Sequence, residues 1–377
     1  MKKLLIALLL MSFILPVKAE ELELASTAKS VILIEASTGT ILYERNSHEK
    51  LPPASMTKMM SMLLIMENIE KGVINWDDVV TASANASSMG GSQILLETGE
   101  EMTVRDLFKG IAVASGNDAV VALSEAIAGS VDSFVNMMNN KVADLGLKDT
   151  FFKNPHGLND INHYSSAYDM AFIAKELSKH EKVFEFTSIY EDYLREGTNR
   201  KLWLVNTNKL VRFYKGVDGL KTGYTTEAGY CLTATANKGF RVIAVVMGEP
   251  TSELRNKEVS ELLDYAYATY KLNTILKKED IVAKKMVEKS KFKEIELVPK
   301  EDITILNKKV DGNKEYNYEI NVDNLKAPIN RGDKVGTINV LENGNIIKTS
   351  DITVKDSIPK ANILELYFRY LKELTTL

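Results

Sequence analysis

The chain has 377 residues, a formal net charge of -4 at pH 7 and a hydrophobic fraction of 45%. That length suggests two domains, one with a full core, and the acidic balance leaves no basic stripe to neutralise phosphates, so no nucleic-acid partner is expected. With one cysteine, Cys231, no intrachain disulfide can form and stability must come from packing.

The basic start Met1-Lys2-Lys3, the apolar run from Leu4 to Leu15 and the small-residue pattern Val17-Lys18-Ala19 predict a signal peptide over residues 1–19. The mature protein is therefore expected to be extracytoplasmic, in the periplasm or cell wall space.

A first domain is expected over residues 20–272. Val31-Ile32-Leu33-Ile34 and Ile41-Leu42-Tyr43 flank a turn containing Gly39, the pattern of a hairpin. After Leu51-Pro52-Pro53-Ala54 the period changes, and Ser55 to Glu67, rich in Met and Leu, reads as a helix apolar nearly all round, which belongs inside a domain. Helical patterns follow at Val104–Ala114, Ala119–Ala128, Val131–Leu145 and Ala167–Leu177. Strands return at Tyr230–Ala236 and Arg241–Gly248, and a helix is expected from Ser252 to Tyr270. The predicted class is α+β, one sheet flanked by helices, with Cys231 a buried structural thiol on a strand.

Residues 273–357 alternate Val and Ile with Lys and carry Asp311-Gly312, Arg331-Gly332-Asp333 and Asn343-Gly344 turns, predicting a small all-β domain, a β-sandwich. Residues 358–377 form an amphipathic segment in which Ile363, Tyr367, Tyr370 and Leu374 recur at helical spacing beside Leu364 and Leu371. Such a helix either lies on a membrane, here the outer face of the cytoplasmic membrane, or packs on the β-domain.

A serine three residues before a lysine on a helix shares its face, and a lysine desolvated there can lose its proton and act as a base. Five such pairs occur: Ser26/Lys29, Ser47/Lys50, Ser55/Lys58, Ser290/Lys293 and Ser357/Lys360. Only Ser55/Lys58 opens a strongly apolar helix, where Lys58 either loses its solvent or snorkels to the surface. Ser115-Gly116-Asn117 lies between two helical runs, either a turn that presents a hydroxyl and a carboxamide to a cleft or a helix cap; Ser83-Ala84-Asn85 repeats the letters in polar surroundings that suggest an ordinary loop. Lys221-Thr222-Gly223 occurs once, either at a strand edge that a substrate backbone can approach or in a β-turn with a surface lysine.

Ser55-Met56-Thr57-Lys58, Ser115-Gly116-Asn117 and Lys221-Thr222-Gly223, with Asn154-Pro155-His156-Gly157-Leu158, closely resemble the low-molecular-mass penicillin-binding proteins that are serine-type D-alanyl-D-alanine carboxypeptidases. The resemblance spans essentially the whole chain. It implies a β-lactamase/transpeptidase-like domain, with an antiparallel sheet flanked by helices and a helical subdomain, followed by the β-domain and amphipathic helix. It implies that Ser55 forms an acyl-enzyme with Lys58 as its base, and that Ser115 passes the proton to the departing D-alanine. Asn117 would hold the substrate and orient Lys58, and Lys221, Thr222 and Gly223 would engage its terminal carboxylate and backbone. The oxyanion hole would be the backbone amides of Ser55 and Tyr224. Arg255 falls where the family often has a carboxylate-binding arginine, and Tyr224 stands where relatives often have histidine. The implied partners are a peptidoglycan stem peptide ending in D-Ala-D-Ala and β-lactams as covalent inhibitors, with no cofactor and no metal.

A β-lactamase of related fold would need a glutamate to activate the deacylating water. Glu191-Asp192-Tyr193-Leu194-Arg195 lacks the expected asparagine after leucine and reads as surface structure. The four histidines, His48, His156, His163 and His180, have no G-x-S-x-G serine to serve and no partners at zinc-ligand spacing. A wall-binding scaffold without catalysis is the non-enzymatic alternative, and the presence of every catalytic side chain argues against it.

Overall fold

The computed structural model describes residues 23–312 and 314–375, so the predicted signal peptide lies outside the described residues. The chain divides into two compact units: one runs through Ile34 and includes Gly39–Ala236 and Ile243–Leu263, and the other comprises Glu35–Thr38, Asn237–Val242 and the chain from Asp264 onward.

The first unit is organised around a five-stranded sheet. Its strands are β1 (Ser30–Glu35), β2 (Ile41–Arg45), β7 (Val217–Thr225), β8 (Gly229–Asn237) and β9 (Arg241–Glu249), in the order β2-β1-β9-β8-β7. β1 and β2 form the expected antiparallel hairpin. β7 and β8 are antiparallel, with Lys221 opposite Thr233 and Gly223 opposite Cys231, which leaves β7 at the edge. Val242 to Met247 are buried on both faces of β9, giving a central strand its continuous apolar run.

The helix predicted from Ser55 opens instead with a tight 3-10 turn, Ala54–Thr57, and becomes α1 at Lys58–Glu70. Ala54 takes φ +48, so the chain enters the turn through a left-handed residue and the α-helical ladder starts only after it. Met59, Met60, Met62, Leu63, Leu64, Ile65 and Met66 are all buried, as an all-apolar helix requires. Around it stand α2 (Ala84–Ser87), α3 (Val104–Ala114), α4 (Asn117–Ala128), α5 (Val131–Asp144), α6 (Ala167–Leu177), α7 (Phe184–Thr187) and α8 (Leu210–Phe213). Two short hairpins, β3 (Val79–Thr81) with β4 (Glu101–Thr103) and β5 (Glu191–Leu194) with β6 (Leu202–Val205), complete the helical side. Thr103, Ser130 and Ser166 cap α3, α5 and α6 by accepting the backbone N–H three residues on.

Ser83-Ala84-Asn85, predicted as a loop, begins α2, because the Ser83 hydroxyl accepts from Ala86 N–H and caps it. Glu191 to Arg195, predicted as surface structure, has an exposed face, yet Leu194 is buried and the Arg195 guanidinium is covered by an ion pair with Glu100. After β9 the chain forms α9, Ser252–Thr269. Tyr270, predicted as its last residue, instead starts β10, because it pairs opposite Lys308.

The second unit is rich in β-structure. β10 (Tyr270–Leu276) pairs antiparallel with β13 (Ile303–Lys308). β11 (Ala283–Glu288), β12 (Glu294–Pro299), β14 (Asn317–Val322), β15 (Leu325–Lys326), β16 (Gly336–Glu342) and β17 (Asn345–Val354) form a six-stranded sheet. Val287, Leu297, Ile303, Ile338, Val340, Ile352 and Val354 supply its core. The terminal segment is α10, Ile363–Thr375, opened by a reciprocal cap between Asn362 and Glu365.

Buried Phe108 and Phe186 make an aromatic cluster with half-buried Trp76, the Phe108 centroid lying 5.4 Å from Trp76 and 5.0 Å from Phe186. Phe108→Ala is expected to destabilise the first unit by about 3–5 kcal/mol, read as a lower urea midpoint with an unchanged slope.

Candidate active site

The first turn of α1 and the edge strand β7 meet at close quarters. A Cβ on Gly223 would lie 2.7 Å from Pro53 O and 3.2 Å from the Ala54 Cβ, so only glycine lets β7 approach the turn that carries Ser55. Strand placement disposes of the β-turn alternative for Lys221-Thr222-Gly223 and sets the Tyr224 backbone beside Ser55's turn.

Lys58 is fully buried, so it does not snorkel. Its Nζ lies 3.0 Å from Ser55 Oγ, 2.6 Å from Asn117 Oδ1 and 2.7 Å from the carbonyl oxygen of His156. Burial, and then the neighbouring Lys221 charge, hold its pKa well below that of an ordinary lysine, while Asp118 opposes them. A neutral amine has two hydrogens and one lone pair. Asn117 Oδ1 and His156 O take the hydrogens, and the lone pair is left facing the Ser55 hydroxyl.

Each acceptor is itself fixed. Asn117 Nδ2 donates to Gly90 O at 2.7 Å, which sets its amide with the oxygen toward Lys58. The His156 carbonyl belongs to the Asn154–Leu158 turn, closed by Gly157 N–H donating to Asn154 Oδ1 and Asn154 Nδ2 donating to Leu158 O. Ser61 Oγ donates to Pro155 O from α1. Gly157 has φ +90, and a Cβ there would fall 1.9 Å from Ala54 O. His163 completes the support. It accepts Lys153 N–H on Nδ1, which places its proton on Nε2 against Thr57 Oγ1, and burial pushes its pKa down to about 4, keeping it neutral.

Ser115 caps α3 in the left-handed region at φ +64, strained for a non-glycine residue. Its hydroxyl is buried and has no hydrogen-bond partner among the described residues. Ser115 ends one helix and Asn117 begins the next, and the Asn117 side chain reaches Lys58. Asp118, singled out by no sequence motif, accepts the Ile94 and Leu96 N–H groups at 3.0 Å and pins the loop behind this turn.

Lys221 is also buried. Desolvation and then the charge of Arg255 bring its pKa down to about 7, and Nζ donates to the Thr222 carbonyl at 3.0 Å. Thr222 Oγ1 donates to Thr207 Oγ1 at 2.7 Å. Arg255 is buried at the start of α9, with its guanidinium held by Asn256 Oδ1. Tyr224 is half exposed and packs on Tyr230, 4.3 Å between centroids, so its side chain stands outside the buried group while its backbone stays in β7. Cys231 is buried with its pKa raised to about 11, an inert thiol opposite Gly223. The other Ser/Lys pairs differ: Ser47 Oγ donates to Glu44, and Ser290 Oγ accepts from Phe292 N–H.

Sequence motifs supplied the side chains proposed to act, while Asp118, Thr207 and His163, which hydrogen-bond to neighbouring groups of the site, lie outside every motif.

A serine facing a desolvated lysine, a second buried hydroxyl and a buried cationic strand edge define a serine acyl-transfer enzyme that handles carboxylate-ended substrates. The chain belongs to the D-alanyl-D-alanine carboxypeptidase family, whose model matches residues 17–251, and a penicillin-binding protein 5 C-terminal domain matches residues 270–360. It is 52% identical over 355 residues to the D-alanyl-D-alanine carboxypeptidase DacF of Bacillus subtilis, covering 94% of this chain and 91% of that one. Penicillin-binding protein 5 of Haemophilus influenzae superposes with a TM-score of 0.73 at 31% identity, covering 90% of this chain and 99% of that one. Penicillin-binding protein D2 of Listeria monocytogenes, solved in a cefotaxime-bound form, matches with a TM-score of 0.58 at 31% identity, covering 65% and 98%.

Gly157→Ala is expected to displace the His156 carbonyl from Lys58 and lower kcat/KM by about a hundredfold, with the far-UV circular dichroism unchanged. The pH profile should be a bell. With Lys58 as the base the acid limb should follow its lowered pKa, and with Lys221 holding a carboxylate kcat/KM should fall as pH rises through about 7. A substrate ending in a carboxamide should lack that alkaline limb.

Proposed function

We propose that Ser55 is the nucleophile with which this serine-type D-alanyl-D-alanine carboxypeptidase removes the terminal D-alanine of a peptidoglycan stem pentapeptide. The observation that carries the reading is the Lys58 amine, buried and held by Asn117 and His156 so that its lone pair faces the Ser55 hydroxyl at 3.0 Å.

Lys58 takes the Ser55 proton as Oγ attacks the penultimate D-alanine carbonyl. Backbone N–H groups of Ser55 and Tyr224 stabilise the oxyanion, a contribution of about a hundredfold or more in rate. As the C–N bond breaks, the proton passes through the Ser115 hydroxyl to the leaving amine. Water then attacks the ester, Lys58 accepting its proton and returning it to Ser55 Oγ as the ester C–O bond breaks. Lys221, Thr222 and Arg255 hold the terminal carboxylate, and β7, with Gly223, pairs with the substrate backbone. β-Lactams enter the same path, but their amine leaving group stays tethered to the acyl-enzyme and blocks the water step.

The protein acts outside the cytoplasm after its predicted signal peptide directs export, and α10 rests on the outer face of the cytoplasmic membrane. Ile363, Leu364, Tyr367, Phe368, Tyr370 and Leu371 of that helix are exposed, while Arg369 donates to the carbonyls of Val287 and Ser290 and ties its other side to the β-domain. Arg369 thus ties the helix to the β-domain while these apolar side chains are offered outward, which supports a peripheral contact.

Incubation with a defined stem pentapeptide should release one alanine by mass, and Ser55→Ala should abolish both that release and covalent labelling by a fluorescent penicillin. Cleavage of a cross-linked dimer without loss of terminal alanine would redirect the reading to an endopeptidase. Deleting residues 361–377 should move the protein to the soluble fraction with turnover retained.

A further inference from the structure

Thr27, Glu249 and Glu258 meet inside the first unit, away from the groups that contact substrate in the scheme above. Thr27 Oγ1 lies 2.6 Å from Glu249 Oε2 and 2.7 Å from Glu258 Oε1. A hydroxyl has one hydrogen to give, so two short contacts to carboxyl oxygens require a second proton, carried by a carboxyl. Glu258 is the acceptor, since it also takes Thr27 N–H at 3.1 Å. Glu249 is then the acid that donates to Thr27. Glu249 Oε1 and Glu258 Oε2 are buried without a hydrogen-bond partner among the described residues. Two buried carboxylates this close would repel, whereas one proton on Glu249 joins the three residues in a chain from Glu249 through Thr27 to Glu258.

These three residues join elements that bear on the site. Glu249 ends β9, and Glu258 lies on α9 one turn after Arg255. We propose that Thr27, Glu249 and Glu258 form a one-proton latch that holds the β9–α9 corner and thereby positions Arg255 for substrate binding. The positioning half rests on the reading of Arg255 as a carboxylate-binding residue.

The groups around the latch set its range. Arg45 of β2 donates to the Ala25 and Ala28 carbonyls beside it and favours the ionised pair. Lys29 packs on Gly248, and Cys231 of β8 has Glu249, Lys29 and Arg255 among its charged neighbours. Burial, then the Glu258 contact, raise the Glu249 acid to about 8. A carboxyl acid raised in the folded state stabilises it fully below the unfolded carboxyl range, and this contribution is lost as pH rises through about 8.

Glu249→Gln keeps a donor to Thr27 at every pH. In wild-type protein labelled at the glutamate side-chain carboxyl carbon, one NMR resonance should titrate near pH 8, and E249Q should lack it. If every glutamate titrates below about pH 6, the latch is wrong. In urea, the wild-type unfolding constant should rise against that of E249Q by up to about tenfold per pH unit between the two pKa values, and parallel profiles would also overturn it. Lys221 titrates in both proteins, so the ratio of their KM values for the pentapeptide isolates the corner. That ratio should rise about threefold above pH 8, and a flat ratio beside a pH-dependent unfolding constant would sink the positioning half. Arg255→Gln separates the two readings: an unchanged KM would refute the carboxylate role of Arg255 while leaving the titration and unfolding results standing.

Discussion

The burial of the Lys58 amine is the constraint on which the site depends. An ammonium in a dry interior is costly, and two routes relieve the cost: a counter-charge or loss of the proton. Here the hydrogen-bond acceptors are neutral oxygens, those of Asn117 and His156, and the charge that acts on the amine most is the Lys221 cation, which opposes a second positive charge. Loss of the proton wins. The result is an amine held beside a serine hydroxyl, with no imidazole ring hydrogen-bonded to either atom among the described residues.

That arrangement requires backbone to approach backbone, and two glycines permit it. Gly223 brings the sheet edge against the turn carrying Ser55, and Gly157, at φ +90, seats the His156 carbonyl against the same turn from the other side. Left-handed Ala54 and Ser115 add local strain at the two positions that aim the hydroxyls. The surrounding order compensates: the capped helices α3, α5 and α6, the aromatic cluster at Phe108, and the Asp118 carboxylate bound to the Ile94 and Leu96 amides.

The remaining buried cations support the preference proposed for the site. Lys221 and Arg255 are both withdrawn from water, and desolvation lowers the pKa of each. A carboxylate entering such a place finds charge already stripped of its hydration, which strengthens attraction to a terminal carboxylate over an internal amide.

The sequence by itself determined the elements whose signal is local. The helices at Val104–Ala114 and Ala167–Leu177 follow from period and caps alone, and the apolar surround of Lys58 separated one Ser/Lys pair from four others. Family resemblance then supplied the side chains of the site and their roles. Only the tertiary structure decided what depends on contacts between residues far apart in the chain. It replaced the first turn expected of the Ser55 helix by a 3-10 turn, and it placed Lys221-Thr222-Gly223 on an edge strand where its letters allowed a surface turn. It also showed that the Lys58 amine is oriented by a carbonyl 98 residues away, a group every residue carries and no pattern of side chains can announce.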